Sequence, residues 1–482
     1  MPIPYRFDKD TNAGALAESF NDLEPGAASG VIVTVAGRVM LNRPQGKLSF
    51  ATLRDETGEV QLFGLASRTN DFEGLTKVNL GDWVGAKGEV VRTRRGELSV
   101  QVDDWTLLAE ARRSFGDKWR GVTDHDLRYR QREVDLWANP QVRTNLQLRS
   151  KIVQSMRQRL WADGYTEVET PILHPIPGGA IAKPFTTHHN ALDTEFYLRI
   201  APELYLKRLV MGGFEKVFEI GRLFRNEGIS NRHNPEFTTI ELYRAYADYE
   251  QMMELIEELV SGIAMDVLGT TTLTYQDREL NLSAPWRRAT ITDLIKEATG
   301  KTFTVHSDRA DLVAALQEAG VTAQASWGEG RLLTELFEAT AEADLWQPTF
   351  VLHHPKEVSP LSRSHRDDPA ITERFEAFVA GRELVNGFSE LVDPDDQRLR
   401  FEDQAAAHAS GDDEAMLVDE EYLRAMEHGL PPTGGLGLGI DRLVMLLTNT
   451  SNIREVIAFP TLKPGLNQRA EVDVDVEEGP TE

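Results

Sequence analysis

The stretch from Phe218 to Tyr249 constrains the fold more than any other part of the chain. It reads FEIGRLFRNEGISNRHNPEFTTIELYRAYADY. Val217, Phe218 and Ile220 begin an apolar run suited to a buried strand. Asn226, Glu227, Gly228, Ser230, Asn231, Asn234 and Pro235 then form a polar turn. Beyond it, Phe237, Thr239, Glu241 and Tyr243 alternate with Thr238, Ile240, Leu242 and Arg244, which is the period of a strand. The expectation is a long hairpin whose loop presents Arg225, Glu227, Arg232 and His233. Cations on a loop fixed by a sheet suit the gripping of phosphates. An ordinary solvated hairpin loop accounts for the same residues.

At 482 residues the chain is long for one domain, so two domains are expected, with room for an insertion. No run of about 20 apolar residues exists to span a bilayer. MPIPYRFDKD lacks a basic-then-apolar signal. Cysteine is absent, which excludes disulfides and thiolate metal sites and fits a reducing cytoplasm. A metal would have to use Asp, Glu or His, which favours magnesium or manganese. The formal charge of −25 argues against a nonspecific nucleic-acid coat. Residues 31–110, however, hold 10 Lys or Arg against 11 Asp or Glu and are almost neutral. The tail from Glu471 to Glu482 has six acids and no base, and is expected to be disordered.

Residues 1–29 read as a polar N-terminal extension. From Gly30 to residue 110, VIVTVAGRVM, KLSFATLRD, VQLFG, GDWVGAKGEVVRT and ELSVQVDDWTLL are five short strands separated by turns, with a helical segment near Thr69–Val78. That pattern predicts a Greek-key barrel of the oligonucleotide-binding type. Such barrels stack bases on aromatics beside a few cations. By alternation Phe50 shares a face with Leu48 and Thr52, which leaves a core position and a stacking position equally open. Residues 111–140 read as a linker. Asn139-Pro140 then opens a long helix with Leu148, Ile152, Met156 and Leu160 on one face, stopped by Gly164. Val168, Thr170 and Ile172 read as an edge strand interrupted by Pro171, a natural place for a dimer to form.

Two glycines in PGGAIAKPF (Pro177–Phe185) let backbone approach a ligand, or simply make a turn. LRIAPELYLKRLV is a strand leading into a helix started by Pro202, with Glu203 in its first turn. Met252–Leu268 is amphipathic, and residues 270–350 read as a helical insertion. In Arg374–Leu391, Glu376 and Glu383 stand in one hairpin. They are either a bridge to divalent metal on a triphosphate or members of surface ion pairs. Finally PPTGGLGLGIDR carries glycines at 434, 435, 437 and 439 and then Arg442. It matches neither common phosphate-binding glycine pattern.

The order of these elements resembles the three motifs of class II aminoacyl-tRNA synthetases: a helix and strand ending in Pro171, the FRNEG…RHNPEF hairpin, and GLGLGIDR. RIAPELYLKRL, EVSPLSR, NGFSEL and PPTGGLGLGIDR resemble the lysyl-tRNA synthetases within that class, over roughly residues 30–465. The resemblance implies an α+β chain. A five-stranded OB-fold anticodon-binding barrel (30–110) precedes a catalytic domain (141–466) built on an antiparallel sheet flanked by helices, with the tail at 467–482. It implies two steps: ATP-dependent formation of lysyl-adenylate, and transfer of lysine to tRNA(Lys). Arg225 would hold the α-phosphate and the lysine carboxylate, Glu227 the adenine amino group, and Phe237 and Arg442 the two ring faces. His233 and Arg442 would reach the outer phosphates, and Glu376 and Glu383 would bind Mg2+. Glu203 and Glu390, with Tyr243, would meet the ε-ammonium. Glu241 and the Gly179 carbonyl would meet the α-amino group, Asn386 the carboxylate, and Phe388 would wall the pocket. Arg43, Phe50, Gln61 and Glu97 would read the anticodon, Phe50 stacking on the central uridine. A homodimer through the first motif's helix and strand, in the cytoplasm, is implied too.

The chain departs from the family pattern in four places. The helical N-terminal extension is largely missing. FGDKW (Phe115–Trp119) replaces a more proline-rich linker. Ile181 stands where a smaller residue is usual, and the tail has no counterpart. Two other readings compete with the synthetase. An amino-acid-activating paralogue charging a non-tRNA acceptor would lack the barrel. A non-catalytic tRNA-binding protein would have damaged motifs, whereas Arg225, Glu376, Glu383 and Arg442 are all present.

Overall fold

A computed structural model describes residues 3–113, 124–409 and 415–463. The chain divides into two compact units, Met1–Asn139 and Pro140–Glu482. The FGDKW linker segment and the acidic tail lie outside the described residues.

The first unit is a closed barrel of β1 (Ala28–Gln45), β2 (Leu48–Arg54), β3 (Glu59–Leu65), β4 (Trp83–Arg92) and β5 (Leu98–Ala109), in the order β1-β2-β3-β5-β4. Strict alternation explains it. On β2, Ser49, Ala51 and Leu53 are buried while Leu48, Phe50, Thr52 and Arg54 face outward. Phe50 is therefore not core, which closes the alternative left open by periodicity. Helix α1 (Ala13–Ser19) is capped by Asn12 and sends Ala13 and Leu16 into the barrel core. The short helix α2 (Phe72–Thr76) adds Leu75 to the same core. Helices α3 (His125–Arg130) and α4 (Arg132–Ala138) complete the unit. Trp137 on α4 receives the Arg38 guanidinium 4.1 Å from its ring centroid, and its carbonyl accepts from Arg54 Nη1 at 2.6 Å.

The second unit opens with α5 (Pro140–Ala162), which buries Ile152, Met156 and Leu160 as its spacing predicted. Then come β6 (Thr166–Glu167), β7 (Leu173–His174), β8 (Thr186–His189), β9 (Thr194–Leu198) and α6 (Glu203–Met211). The expected strand over Val168–Ile172 does not form. Val168 N–H still bonds to the Phe218 carbonyl and the Ile172 carbonyl accepts from Arg199 N–H, each at 2.9 Å, but the chain between them leaves the ladder, and Pro171 has no N–H to give. Thr170 instead donates its backbone N and hydroxyl to Glu219 at 3.1 and 2.6 Å.

The hairpin follows as β10 (Lys216–Phe224) and β11 (Glu236–Ala245), paired antiparallel over their whole length. After α7 (Tyr249–Leu268) lie β12 (Thr272–Tyr275), β13 (Arg278–Asn281) and β14 (Arg287–Thr290). Next are α8 (Ile291–Thr299), α9 (Arg309–Glu318), α10 (Glu329–Thr340) and β15 (Thr349–Leu352). The span 270–350 is thus not purely helical. Its ends, β14 and β15, join the main sheet, and α8, α9 and α10 share a separate small core with Leu294, Leu312 and Leu336. The chain closes with β16 (Arg374–Phe378), β17 (Glu383–Ser389), α11 (Pro394–Ala409), α12 (Glu420–Met426), β18 (Thr433–Gly439) and α13 (Ile440–Leu447). The central sheet has the order β14-β15-β16-β17-β18-β11-β10-β6. It is antiparallel except at its two ends, where β14–β15 and β10–β6 run parallel.

Candidate active site

Register builds the site. Across β11, β18, β17 and β16, Tyr243 lies opposite Gly435, Gly435 opposite Phe388, and Phe388 opposite Arg374. Two residues along, Glu241, Gly437, Asn386 and Glu376 form a second row. Strand residues two apart share a face, so both rows look out from the same side. The row between them, Leu242, Leu436, Gly387 and Phe375, faces the opposite way. Its Leu242, Leu436 and Phe375 join Met252 and Ile256 of α7 in the core. Gly435 and Gly437 leave the middle of the floor without side chains. A cavity of about 380 Å³ opens above them. Its walls hold Gly179, Glu203, Arg225, Glu227, His233, Phe237, Glu241, Tyr243, Glu376, Glu383, Asn386, Phe388, Glu390 and Arg442. Every residue that the resemblance assigned to ATP, lysine or metal therefore borders one space.

One end of the cavity is acidic. Glu203 begins α6, with Pro202 at its cap, and Glu390 follows β17 directly. Both are buried, and so is Glu241. Lys207, one helical turn after Glu203 and fully buried, donates to Glu203 Oε1 at 2.8 Å and to Glu390 Oε2 at 2.9 Å. Glu390 Oε1 is buried and has no hydrogen-bond partner among the described residues. Burial pushes Glu390 up to about 8 against the pull of Lys207, and Glu203 adds to the rise. Burial, then the Glu203 charge, push Glu241 up to about 8 as well. The Tyr243 hydroxyl donates to Glu241 at 3.2 Å. Gly179 sits at φ +85°, where only glycine is at ease, and a Cβ there would meet Ala201 and Glu203.

The other end is cationic. Arg225 is anchored by its backbone N–H to the Pro235 carbonyl at 2.8 Å, and its guanidinium lies 5.3 Å from the Phe237 ring centroid. Its Nε is buried and without a partner among the described residues. Arg442, on the first turn of α13, donates to the Glu383 carbonyl at 2.5 Å and to its carboxylate at 3.2 Å. Asp441 beside it is ion-paired with Arg149 and accepts from the Thr238 backbone at 2.8 Å, which ties α13 to β11. Partial burial, reinforced by Arg442, lowers the His233 pKa. At neutral pH this imidazole offers a hydrogen bond, not a charge. The Ser230 hydroxyl lies 3.1 Å from its Nδ1.

Between the two ends stand Glu376 and Glu383. Burial, with repulsion from Glu383, Glu338 and Glu342, pushes Glu376 up to about 7 even though Arg374 pairs with it. Burial works against the Glu383 carboxylate too, but Arg442, Arg225 and Arg374 together draw it below its ordinary value. Crowded carboxylate oxygens fit a hard divalent cation of magnesium's kind. Among the described residues no group of three or more His, Asp or Glu is set to hold a metal alone. A cation here would draw its remaining ligands from substrate phosphates and water.

The first unit presents a different surface. Arg43, Phe50, Phe63 and Gln101 lie opposite one another across β1, β2, β3 and β5 on the outer face. Phe50 and Phe63 stack with centroids 5.1 Å apart and planes 3° from parallel. Gln61, two residues before Phe63, accepts from the Ser99 hydroxyl at 3.0 Å. Glu97 is exposed in the β4–β5 turn, whose ends are closed by Thr93. Sequence reasoning missed Phe63, although its alternation with Gln61 on β3 could have revealed it. It also missed Lys207, which the i,i+4 spacing from Glu203 could have flagged. Arg374 carried no such signal, because only the sheet brings it to Glu376 and to Asn386, 3.1 Å from its Nε.

Residues 124–463 match the family of class II tRNA synthetases (D, K and N), and residues 33–108 match the OB-fold nucleic acid binding domain. The fold is thus that of a class II synthetase carrying an N-terminal nucleic-acid-binding barrel. The lysine–tRNA ligase of Synechococcus sp. (strain RCC307) is 52% identical over 467 residues, covering 96% of this chain and 93% of its own. Those of Trichormus variabilis and Prochlorococcus marinus (strain MIT 9303) are each 50% identical, over 96% of this chain and 84% and 94% of theirs. The chain belongs to the lysine–tRNA ligase family.

Proposed function

We propose that the protein activates L-lysine with ATP and transfers it to the 3′ end of tRNA(Lys). The observation that carries this reading is the pairing of ends within one cavity. Buried Glu203, Glu241 and Glu390 stand at one end, and Arg225, with an uncommitted Nε, stands at the other. An unpaired ammonium is costly to bury, so only a cationic side chain matches the acidic end. The charges complement free lysine. The ε-ammonium meets Glu390 and Glu203, the α-ammonium meets Glu241 and the Gly179 carbonyl, and the carboxylate lies toward Arg225 and Asn386, with Phe388 as a wall.

In the first step a lysine carboxylate oxygen attacks the α-phosphorus of ATP. The bond to the bridging oxygen breaks, and pyrophosphate leaves. Such transfer depends mainly on positioning and charge stabilisation. Arg225 serves the α-phosphate, and His233 and Arg442 serve the outer phosphates. Glu227 takes the adenine amino group, and Phe237 and Arg442 take the ring faces. Glu376 and Glu383 would hold a magnesium ion, which would supply charge neutralisation on the phosphates. In the second step the terminal ribose hydroxyl attacks the lysyl carbonyl and AMP leaves. Arg43, Phe50, Gln61 and Glu97 read the anticodon, with Phe50 and Phe63 as the stacking platform. A homodimer is supported by α5 and the segment after it, where Trp161, Ile172 and Leu173 are apolar and exposed on one protomer. Among the described residues no helix is long and apolar enough to cross a membrane.

The test is amino-acid-dependent ATP–pyrophosphate exchange with each of the twenty amino acids, followed by transfer to tRNA with a UUU anticodon. Exchange with lysine and transfer are expected. Arg225→Ala should lower lysine-dependent exchange by about 10²–10³-fold, the usual loss for one donor to developing charge. Exchange without transfer would point to the paralogue acting on another acceptor.

A further inference from the structure

We propose that Lys207 is a positioning residue for lysine selection. It is a resident ammonium that takes one oxygen from each of Glu203 and Glu390. Glu390 Oε1 is then the oxygen offered to substrate, and the trio with both carboxylates ionised carries a net charge of −1, matched to one incoming ammonium. This inference rests on the functional reading above and assigns a role to a residue that reading leaves unused.

The geometry is specific. Lys207 is 0% exposed, so it cannot touch a ligand in the cavity. Its Nζ lies 2.8 Å from Glu203 Oε1 and 2.9 Å from Glu390 Oε2, and 5.4 Å from the Tyr422 ring centroid. The ammonium is therefore walled in by two carboxylates and a ring. Glu390 keeps one oxygen with no hydrogen-bond partner among the described residues. That oxygen faces the floor at Gly435, where an added Cβ would come within 2.1 Å of it and 2.5 Å of the Tyr243 ring. An unsatisfied buried acceptor of this kind is expensive to leave unmade, and a substrate ammonium would satisfy it.

Charge accounting gives the second argument. Without Lys207, Glu203 and Glu390 would form a buried like-charged pair, and such a pair holds a proton. A bound proton would compete with substrate lysine. With Lys207 present, one ammonium is already built in, so only the proton that burial keeps on Glu390 is left for the incoming ammonium to displace. The groups facing the pair are Glu203 and Lys207 on α6, Glu241 and Tyr243 on β11, Arg374 on β16, and Tyr422 on α12. Flanking carboxylates hold Lys207 protonated in spite of its burial.

Lysine-dependent pyrophosphate exchange of the full chain between pH 6 and 9 tests this. The decisive comparison is Glu203→Gln against Glu203→Gln/Lys207→Met. The single change leaves the trio neutral and should raise the lysine KM. The second change restores −1 and should lower that KM again at least threefold, with the ATP KM unchanged. A double variant with a lysine KM equal to or above that of the single overturns the proposal, since a merely structural Lys207 can only make matters worse. Lys207→Met alone should raise the lysine KM at least tenfold at pH 7, and the deficit should narrow toward pH 9 as the substituting proton is lost. A deficit constant with pH, or one shared by the ATP KM, overturns it. If Lys207→Met does not fold, the double-against-single comparison still decides. A parent enzyme that exchanges with another amino acid, or with none, overturns the functional reading and this inference together. A parent that exchanges with lysine, with no recovery in the double, overturns the inference alone.

Discussion

Phe50 and Phe63 stack in the open on the outside of a barrel, while Glu203, Glu241 and Glu390 are enclosed at the end of a cavity in the other unit. Both arrangements suit the recognition of a ligand, but they use different physics. The aromatic pair offers flat area that is already half-exposed, so little must be desolvated when a base arrives. Its cost and its gain are both modest, about 1–3 kcal/mol per stacked base. The carboxylates have already been taken out of water, and their pKa values are raised as a result. A matching cation can displace the protons these carboxyls hold and pair with them, and a neutral side chain gains no such pairing. The difference teaches where discrimination resides. The first surface tolerates near misses, and the second does not.

The largest test of that contrast is Glu390→Gln. Truncating one partner of a buried charge pair costs about 2–5 kcal/mol, so the lysine KM in pyrophosphate exchange should rise at least 30-fold, with the ATP KM within about threefold. An unchanged lysine KM would remove Glu390 from the pocket's chemistry. Gly435→Ala comes next. Its Cβ would overlap Glu390 Oε1 and the Tyr243 ring, and backbone in mid-sheet cannot move aside cheaply. Lysine affinity should fall about tenfold or more in equilibrium binding, while far-ultraviolet circular dichroism stays that of the parent. Phe50→Ala is a smaller loss. Charging of tRNA should drop by about tenfold, as one lost stack predicts, with lysine-dependent exchange intact. Equal losses in both assays would mean that Phe50 supports the fold and not the anticodon.

These two regions were also unequally legible in the sequence. The barrel's strands came from alternation and turn residues, yet alternation could not say which face of β2 is inside. The buried Ala51 and Leu53 decide that only once the barrel closes. In the synthetase unit the hairpin was legible because β10 and β11 are long, periodic and joined by a polar turn. Glu376 and Asn386 are ten residues apart in sequence but directly opposite in register, and Gly437 completes their row. No spacing rule on a single chain reveals such a row. The Val168–Ile172 strand failed for a related reason: Thr170 found a better partner in Glu219, 49 residues away. The helix of Lys207 was legible, but its second partner, Glu390, lies 183 residues on.

The smallest effect sharpens the contrast through pH. Burial raises Glu390 and Glu241 to about 8, well above the value of an unfolded glutamate. The sign follows from linkage. Below the unfolded value both carboxyls are protonated in either state and cost nothing. As pH rises toward 8 the unfolded chain releases these protons and the folded chain keeps them, so stability contributed here declines over that window. A lysine ligand reverses this, because its ammonium groups favour the ionised carboxylates. Lysine-induced thermal stabilisation should therefore grow from pH 6 to pH 8 by up to tenfold in affinity per unit for each proton released. Glu390→Gln should flatten part of that slope. Binding of an oligonucleotide to the barrel unit should show no comparable rise, since stacking on Phe50 and Phe63 transfers no proton. Parallel pH slopes for the two ligands would show that the enclosed charge is not what sets lysine apart.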